Sequence, residues 1–186
     1  MNIWLIADLH LSHKGIVQWL REDGSKERPW DTIEEMNEAL IENYNSVVRP
    51  KDKVYILGDV VINRSALPLI ARLQGRKILV KGNHDTMRLD EYAQYFEDIR
   101  GNAVIDNHIL THIPIHPCSV GRWDANIHGH LHHNKVMMTK PGYQWFQVKD
   151  IPDPRYFCVS AEQANYTPIA FEVAKKRIKE NKEWNL

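Results

Sequence analysis

Short apolar runs alternate with helix-like patterns through the first half of the chain. Ile3 to Ala7 is an unbroken apolar run that meets Asp8, and it predicts a buried strand. A helical turn is expected near Ile16 to Leu20, followed by a polar loop over Arg21 to Pro29. Asp31, with Glu34 three positions on, has the spacing of a capping box. Behind it Ile33, Met36, Leu40, Tyr44 and Val47 recur every three or four residues, as on one face of a helix. Lys53 to Leu57 and Ile78 to Val80 predict two further strands. Between them Ser65 is a candidate cap for a short helix, with Pro68 in its first turn and Gly75 at its end. Leu89 to Phe96 has helical spacing.

The second half reads differently. Ala103 to Ile105, Ile109 to Ile113, Ala125 to Ile127, Tyr143 to Val148 and Tyr156 to Val159 are short strand-like runs separated by Gly, Pro and Asn. A last helix is expected from Thr167 as cap and Pro168 in the first turn, through a basic face at Lys175 to Lys179. Alternating elements followed by many strands predict a layered α/β domain in which helices cover packed sheets. No repeat or linker interrupts the pattern, so residues 1–186 are expected to form one domain.

Charge narrows the partners. Lys plus Arg and Asp plus Glu both number 24, so the formal net charge is zero. That excludes a polybasic coat for nucleic acid or membrane by bulk charge alone. Two cysteines, Cys118 and Cys158, do not make a disulfide framework. The apolar run at the start is too short for a signal peptide or a spanning helix, so the cytoplasm is the expected location.

The chain has 10 histidines, and their placement carries the chemistry. Five segments concentrate polar groups: Asp8-Leu9-His10, Gly58-Asp59, Gly82-Asn83-His84-Asp85, His112, and Gly129-His130-Leu131-His132. Each alone reads as a turn or a hydrogen-bonded histidine. Asp8, Asp59, Asn83 and His112, however, each follow an apolar strand, and the carboxyl ends of strands in α/β sheets converge on one crevice. Asp and His donors suit Mn, Fe, Zn, Ni or Co better than Ca or Mg alone. Two such ions polarise a phosphoryl oxygen and generate a nucleophile at neutral pH. The glycines at 58, 82 and 129 let backbone approach closely beside these residues.

In motif order, Met1 to about His132 closely resembles the calcineurin-like metallophosphoesterase superfamily. Ser12-His13, Arg28-Pro29-Trp30, Leu57-Gly58-Asp59 and the tail from Val159 to Ile169 are similar to its small, cap-less bacterial and phage members. The resemblance implies an αββα sandwich: two packed mixed sheets flanked by helices, with the metal site at strand carboxyl ends. It implies two divalent transition-metal ions, Mn first among them. Asp8, His10, Asp59 and His132 would hold one ion; Asp59, Asn83, His112 and His130 would hold the other, with Asp59 bridging. His84 would be the general acid and Asp85 would orient its ring, while a metal-bridging hydroxide attacks phosphorus in line. Where the superfamily's Ser/Thr protein phosphatases carry Asp then Arg, this chain has Ile62 and Asn63, and Arg64 falls one place late.

His13 and Arg64 are candidate substrate contacts. Arg21, Arg28 and Arg122 are candidates for the pocket rim, with solvated surface the default for each; His108 and His133 are expected to be exposed, and Trp30, Trp123 or Tyr143 would stack a base if the substrate is a nucleotide. The expected function is hydrolysis of small nucleotide-type phosphodiesters. Hydrolysis of monoesters, cleavage of a nucleic acid, and an inactive scaffold that binds a partner protein are the alternatives. Nucleic acid finds no support in the net charge, and no membrane is expected.

Overall fold

The computed structural model describes residues 1–140 and 149–184. Three of the apolar runs become neighbouring parallel strands: β1 (Ile3–Ile6), β2 (Lys53–Ile56) and β3 (Arg76–Val80). β4 (Asp98–Arg100) adds to the far side of β3, although its single apolar residue, Ile99, gave no strand pattern. β5 (Ala103–Ile105), β6 (His108–Leu110) and β7 (Ala125–His128) begin a second sheet. β8 (Met137–Lys140) and β9 (Lys149–Pro152) form a separate antiparallel pair. β10 (Tyr156–Cys158) joins the second sheet beside β7, and β11 (Ile169–Ala170) returns to pair antiparallel with β1. The first sheet therefore runs β11-β1-β2-β3-β4 and the second β10-β7-β6-β5, and both are mixed. The predicted strand at Tyr143 to Val148 lies outside the described residues.

Period-two alternation sorts the strand side chains into two cores. Ile6, Val54, Ile56 and Leu79 face α1 (Ile33–Val47), α2 (Leu67–Ile70) and α3 (Leu89–Tyr92), meeting Met36, Leu40, Tyr44, Ile70 and Tyr92. Leu5, Ala7, Tyr55, Leu57, Ile78 and Val80 face the second sheet, meeting Leu110, Ala125 and Ile127. α4 (Pro117–Val120) precedes β7, and α5 (Phe171–Trp184) closes the second core with Phe171, Ala174 and Ile178. Burying one such Leu, Ile or Phe side chain stabilises the fold by roughly 1.5–3 kcal/mol. The result is two packed mixed sheets with flanking helices, as the sequence leads one to expect.

Several element boundaries differ from the pattern. Thr32, not Asp31, caps α1: its side chain accepts from the Glu35 N–H while the Glu35 carboxylate accepts from the Thr32 N–H. Asp31 is paired with Lys26 instead. Ser65 lies inside a 3-10 turn, Arg64–Ala66, rather than at a cap, and α3 ends at Tyr92, short of Phe96. The last helix starts at Phe171, because Ile169 and Ala170 are drawn into the edge of the first sheet. Both cysteines are free, and no described helix is long and apolar enough to cross a membrane.

Candidate metal centre

The carboxyl ends of both sheets open onto one cleft. Backbone bonds from Asp8 N–H to the Gly58 carbonyl, His10 N–H to Asp59 and Leu11 N–H to Val60 lace the loop after β1 to the loop after β2. Asp8, His10, Asp59, His130 and His132 all sit at positive φ, between 49° and 70°. Such left-handed backbone costs about 1–3 kcal/mol at each non-glycine position and concentrates where geometry serves a site. At Gly58, with φ +87°, a Cβ would lie 2.5 Å from His112 Nδ1. A Cβ on Gly82 would lie 2.2 Å from Asp59 Oδ1, so any side chain there displaces that carboxylate.

Two clusters of Asp and His side chains that could hold a metal ion result. Asp8, His10 and His132 place one donor atom each within 4.8 Å of one another, and Asp59, His112 and His130 do the same. Asp59 Oδ2 stands between the clusters, 3.7 Å from His10 Nε2 and 3.3 Å from His112 Nε2. Donors held about 2.1 Å from a common ion lie roughly 3–4 Å apart, so these spacings fit coordination.

The donor chemistry gives the same answer. Asp8 Oδ1 and both ring nitrogens of His10 are buried without a hydrogen-bond partner. Buried polar groups are ordinarily satisfied, and orphaned ones need an explanation. His112 Nδ1 donates to the Leu57 carbonyl at 2.8 Å. Its Nε2 then faces two oxygens, Asn83 Oδ1 at 2.8 Å and Asp59 Oδ2. Only a proton or a cation satisfies that arrangement.

Burial shapes the charges. It raises the Asp8 carboxyl to about 6 against the pull of His112 and His132, and it holds His10 well below its ordinary value. Neutral imidazole is the form that ligates metal. For Asp59 burial acts upward too, but His112 and the His84 N–H outweigh it and keep the carboxyl below its usual value.

The remaining candidates fall at different distances from this centre. His84 is exposed at the mouth, its ring 5.7 Å from that of His10, and its N–H donates to Asp59 Oδ1 at 2.9 Å. Asp85 does not orient the His84 ring. Its buried carboxylate accepts from the N–H groups of Asp59, Val60 and Gly82 and so ties two loops together. His13 lines the cleft, 5.4 Å from the His10 ring. Arg64 is not in the cleft: it is largely exposed and paired with Glu91 at 2.7 Å. Trp30 packs edge-on against Tyr166, and the aromatic ring at the rim is Trp19, 5.9 Å from His132. Tyr143 lies outside the described residues.

Two charged residues behind the centre form a pair that no local pattern links. Arg28, expected on the surface, is completely buried. Its Nε donates to Glu162 at 2.7 Å, and its Nη atoms reach the carbonyls of Asp8 and Leu9. Glu162 also accepts from His132 Nδ1 at 3.0 Å. Burial works against the Glu162 anion, but Arg28 and His132 hold its carboxyl down to about 2. Ser160 Oγ donates to Asp8 Oδ2 at 2.7 Å, and the His130 N–H donates to the same oxygen at 2.8 Å. His108 and His133 are also less exposed than expected: His108 packs on Phe171 and His133 is paired with Glu27.

The family model for calcineurin-like phosphoesterases matches residues 1–167. The chain belongs to the calcineurin-like phosphoesterase family. An uncharacterised protein from Methanocaldococcus jannaschii, MJ1445, is 32% identical over 185 residues, covering 97% of this chain and 93% of that protein. The gene 66 protein of Mycobacterium phage L5 is 36% identical over 89 residues, covering 45% of this chain and 40% of the phage protein. Among solved structures, the protein of unknown function AQ665 from Aquifex aeolicus superposes with a TM-score of 0.63 at 24% identity, covering 94% of this chain and 98% of that one. Calcineurin-like phosphoesterases are metal-dependent hydrolases of phosphate esters, and this phosphoesterase carries two clusters rich in His and Asp.

Proposed function

We propose that this phosphoesterase is a dinuclear-metal phosphodiesterase acting on small nucleotide-type diesters. The observation that carries the reading is Asp59, whose Oδ2 stands within coordination spacing of both clusters. One ion would be held by Asp8, His10, Asp59 and His132, and the other by Asp59, Asn83, His112 and His130. When bound, the pair neutralises phosphate charge and supplies a nucleophile at neutral pH. Manganese suits this set of nitrogen and oxygen donors.

The chain's own residues do the rest. His84, exposed at the mouth with its backbone fixed to Asp59, gives a proton to the departing ester oxygen. His13 borders the same opening and would contact the phosphate. Two clefts flank the centre. One, of about 490 Å³, is bordered by Asn83, Asn102, Thr111, His112 and Ile113. The other, of about 310 Å³, is bordered by Trp19, Leu20, His130, His132 and Asn134. A diester has two arms to accommodate, and two recesses bordered by candidate ligands support that preference. Only a 3-10 turn, α2 and β3 lie between Asp59 and Asn83, so no inserted cap narrows access from that segment.

The test compares bis-p-nitrophenyl phosphate with p-nitrophenyl phosphate at equal concentration, using metal-stripped protein with Mn²⁺ restored. Faster cleavage of the diester is expected. Faster cleavage of the monoester would overturn the diester preference, and no turnover with any transition metal would overturn the enzymatic reading.

A further inference from the structure

Resting on that reading of the centre, we infer that Glu162, braced by Arg28, is the positioning carboxylate of His132 and sets the cation affinity of the Asp8–His10–His132 cluster alone. The chain brings together three segments remote in sequence to build this contact. Arg28 comes from the loop before α1, Glu162 from the turn after β10, and His132 from the loop after β7. Glu162 Oε1 accepts from both Arg28 Nε and His132 Nδ1, and the side chains of Glu162 and Arg28 are 1% and 0% exposed. Placing two charges where water is absent is costly unless each is paired.

The geometry fixes the imidazole. Donating Nδ1–H to Glu162 leaves Nε2 as the unprotonated nitrogen of His132. A carboxylate on the far nitrogen orients a ligating ring and raises its basicity. Arg28 completes the brace from the other direction, because its Nη atoms hold the Asp8 and Leu9 carbonyls. One guanidinium thereby locks two members of the same cluster. His112, in the other cluster, has only a neutral partner at Nδ1, the Leu57 carbonyl. The carboxylate-backed histidine thus belongs to one cluster only.

Glu27, His132 and Glu162 also gather donor atoms within 4.8 Å of one another. His132, however, has no lone pair to offer this group. A neutral imidazole offers one lone pair, and the His132 nitrogen facing Glu162 carries the proton. Glu27 Oε2 is paired with His133 and with Arg21, 3.4 Å away. Glu27 therefore serves as a matched control: a second buried carboxylate beside a second histidine, with no part in the cluster.

The experiment is calorimetric titration of metal-stripped protein with Mn²⁺, for wild type, Glu162→Gln and Glu27→Gln. Wild type takes up two ions. Glu162→Gln is expected to weaken one of them roughly 10–100-fold and leave the other unchanged. Glu27→Gln is expected to change neither. Equal weakening of both ions, or of neither, in Glu162→Gln would overturn the inference. Uptake of no ion by wild type would overturn the reading of the centre and this inference with it. A readout on wild type does not depend on the variant folding. Nitrogen-15 spectra of the Zn²⁺-loaded protein should show His132, identified by the signal lost in His132→Asn, protonated at Nδ1. An unprotonated Nδ1 would also overturn the inference.

Discussion

The two clusters at the cleft are built from the same residue types and held in opposite ways. Asp8, His10 and His132 sit against charged side chains drawn from distant segments, and three of their polar atoms have no partner. Asp59, His112 and Asn83 are held mainly by backbone groups of the neighbouring loops, with no buried ion pair among the described residues behind them. His112 rests on the Leu57 carbonyl, Asp59 accepts from the His84 N–H, and Asp85 ties the two loops through three N–H groups. The first cluster leaves buried donors that a cation would satisfy. The second leaves a cation one place to enter, between His112 Nε2 and the oxygens of Asn83 and Asp59. Backbone partners at strand ends come with the register of the sheets, whereas a charged wall needs side chains from segments remote in sequence.

Asp59→Ala should erase the distinction altogether, because Asp59 Oδ2 faces both clusters. Metal analysis should find neither ion retained and turnover at background. Two retained ions would remove Asp59 from the bridge.

His84→Ala should leave the distinction intact. The variant keeps the N–H that donates to Asp59, so both ions stay, while turnover falls by ~10²–10⁴-fold. The loss should shrink for substrates with good leaving groups. Equal loss on good and poor leaving groups would contradict the acid role.

Arg28→Ala should break only the first cluster's support. Removing one partner of a buried ion pair costs about 3–5 kcal/mol, which denaturant titration would read directly. Thermal unfolding should drop by about 10 °C. A change within 1 °C would show that the pair is not held as described.

The smallest effect lies away from both clusters, where sequence spacing alone was ambiguous. Thr32→Ala should cost about 1 kcal/mol through the lost cap of α1, and Asp31→Ala clearly less. The reverse order, measured by the same titration, would restore Asp31 as the cap.

These contrasts also separate what was legible in the sequence from what was not. The strand ends were legible because each apolar run stops at a polar residue, and parallel strands bring those ends to one place. Asp31 with Glu34 and Thr32 with Glu35 share the same spacing, so pattern could not choose between them; the pairing of Asp31 with Lys26 leaves Thr32 to cap. The start of α5 was misplaced because Thr167-Pro168 is a good helix opening, yet Ile169 and Ala170 pair with Leu5 and Trp4 of β1. Asp85 follows His84 in sequence, but its carboxylate turns to backbone N–H groups instead. Arg28 and Glu162 were invisible as a pair, since 134 positions separate them and charged residues carry no local mark of burial.

The most direct test of the two-ion centre is the electron paramagnetic resonance spectrum of the metal-stripped phosphoesterase titrated with Mn²⁺. Two ions sharing Asp59 should give uptake of two per chain and a spin-coupled multiline spectrum. Uptake of one ion, or two ions with independent six-line signals, would contradict a centre bridged by Asp59.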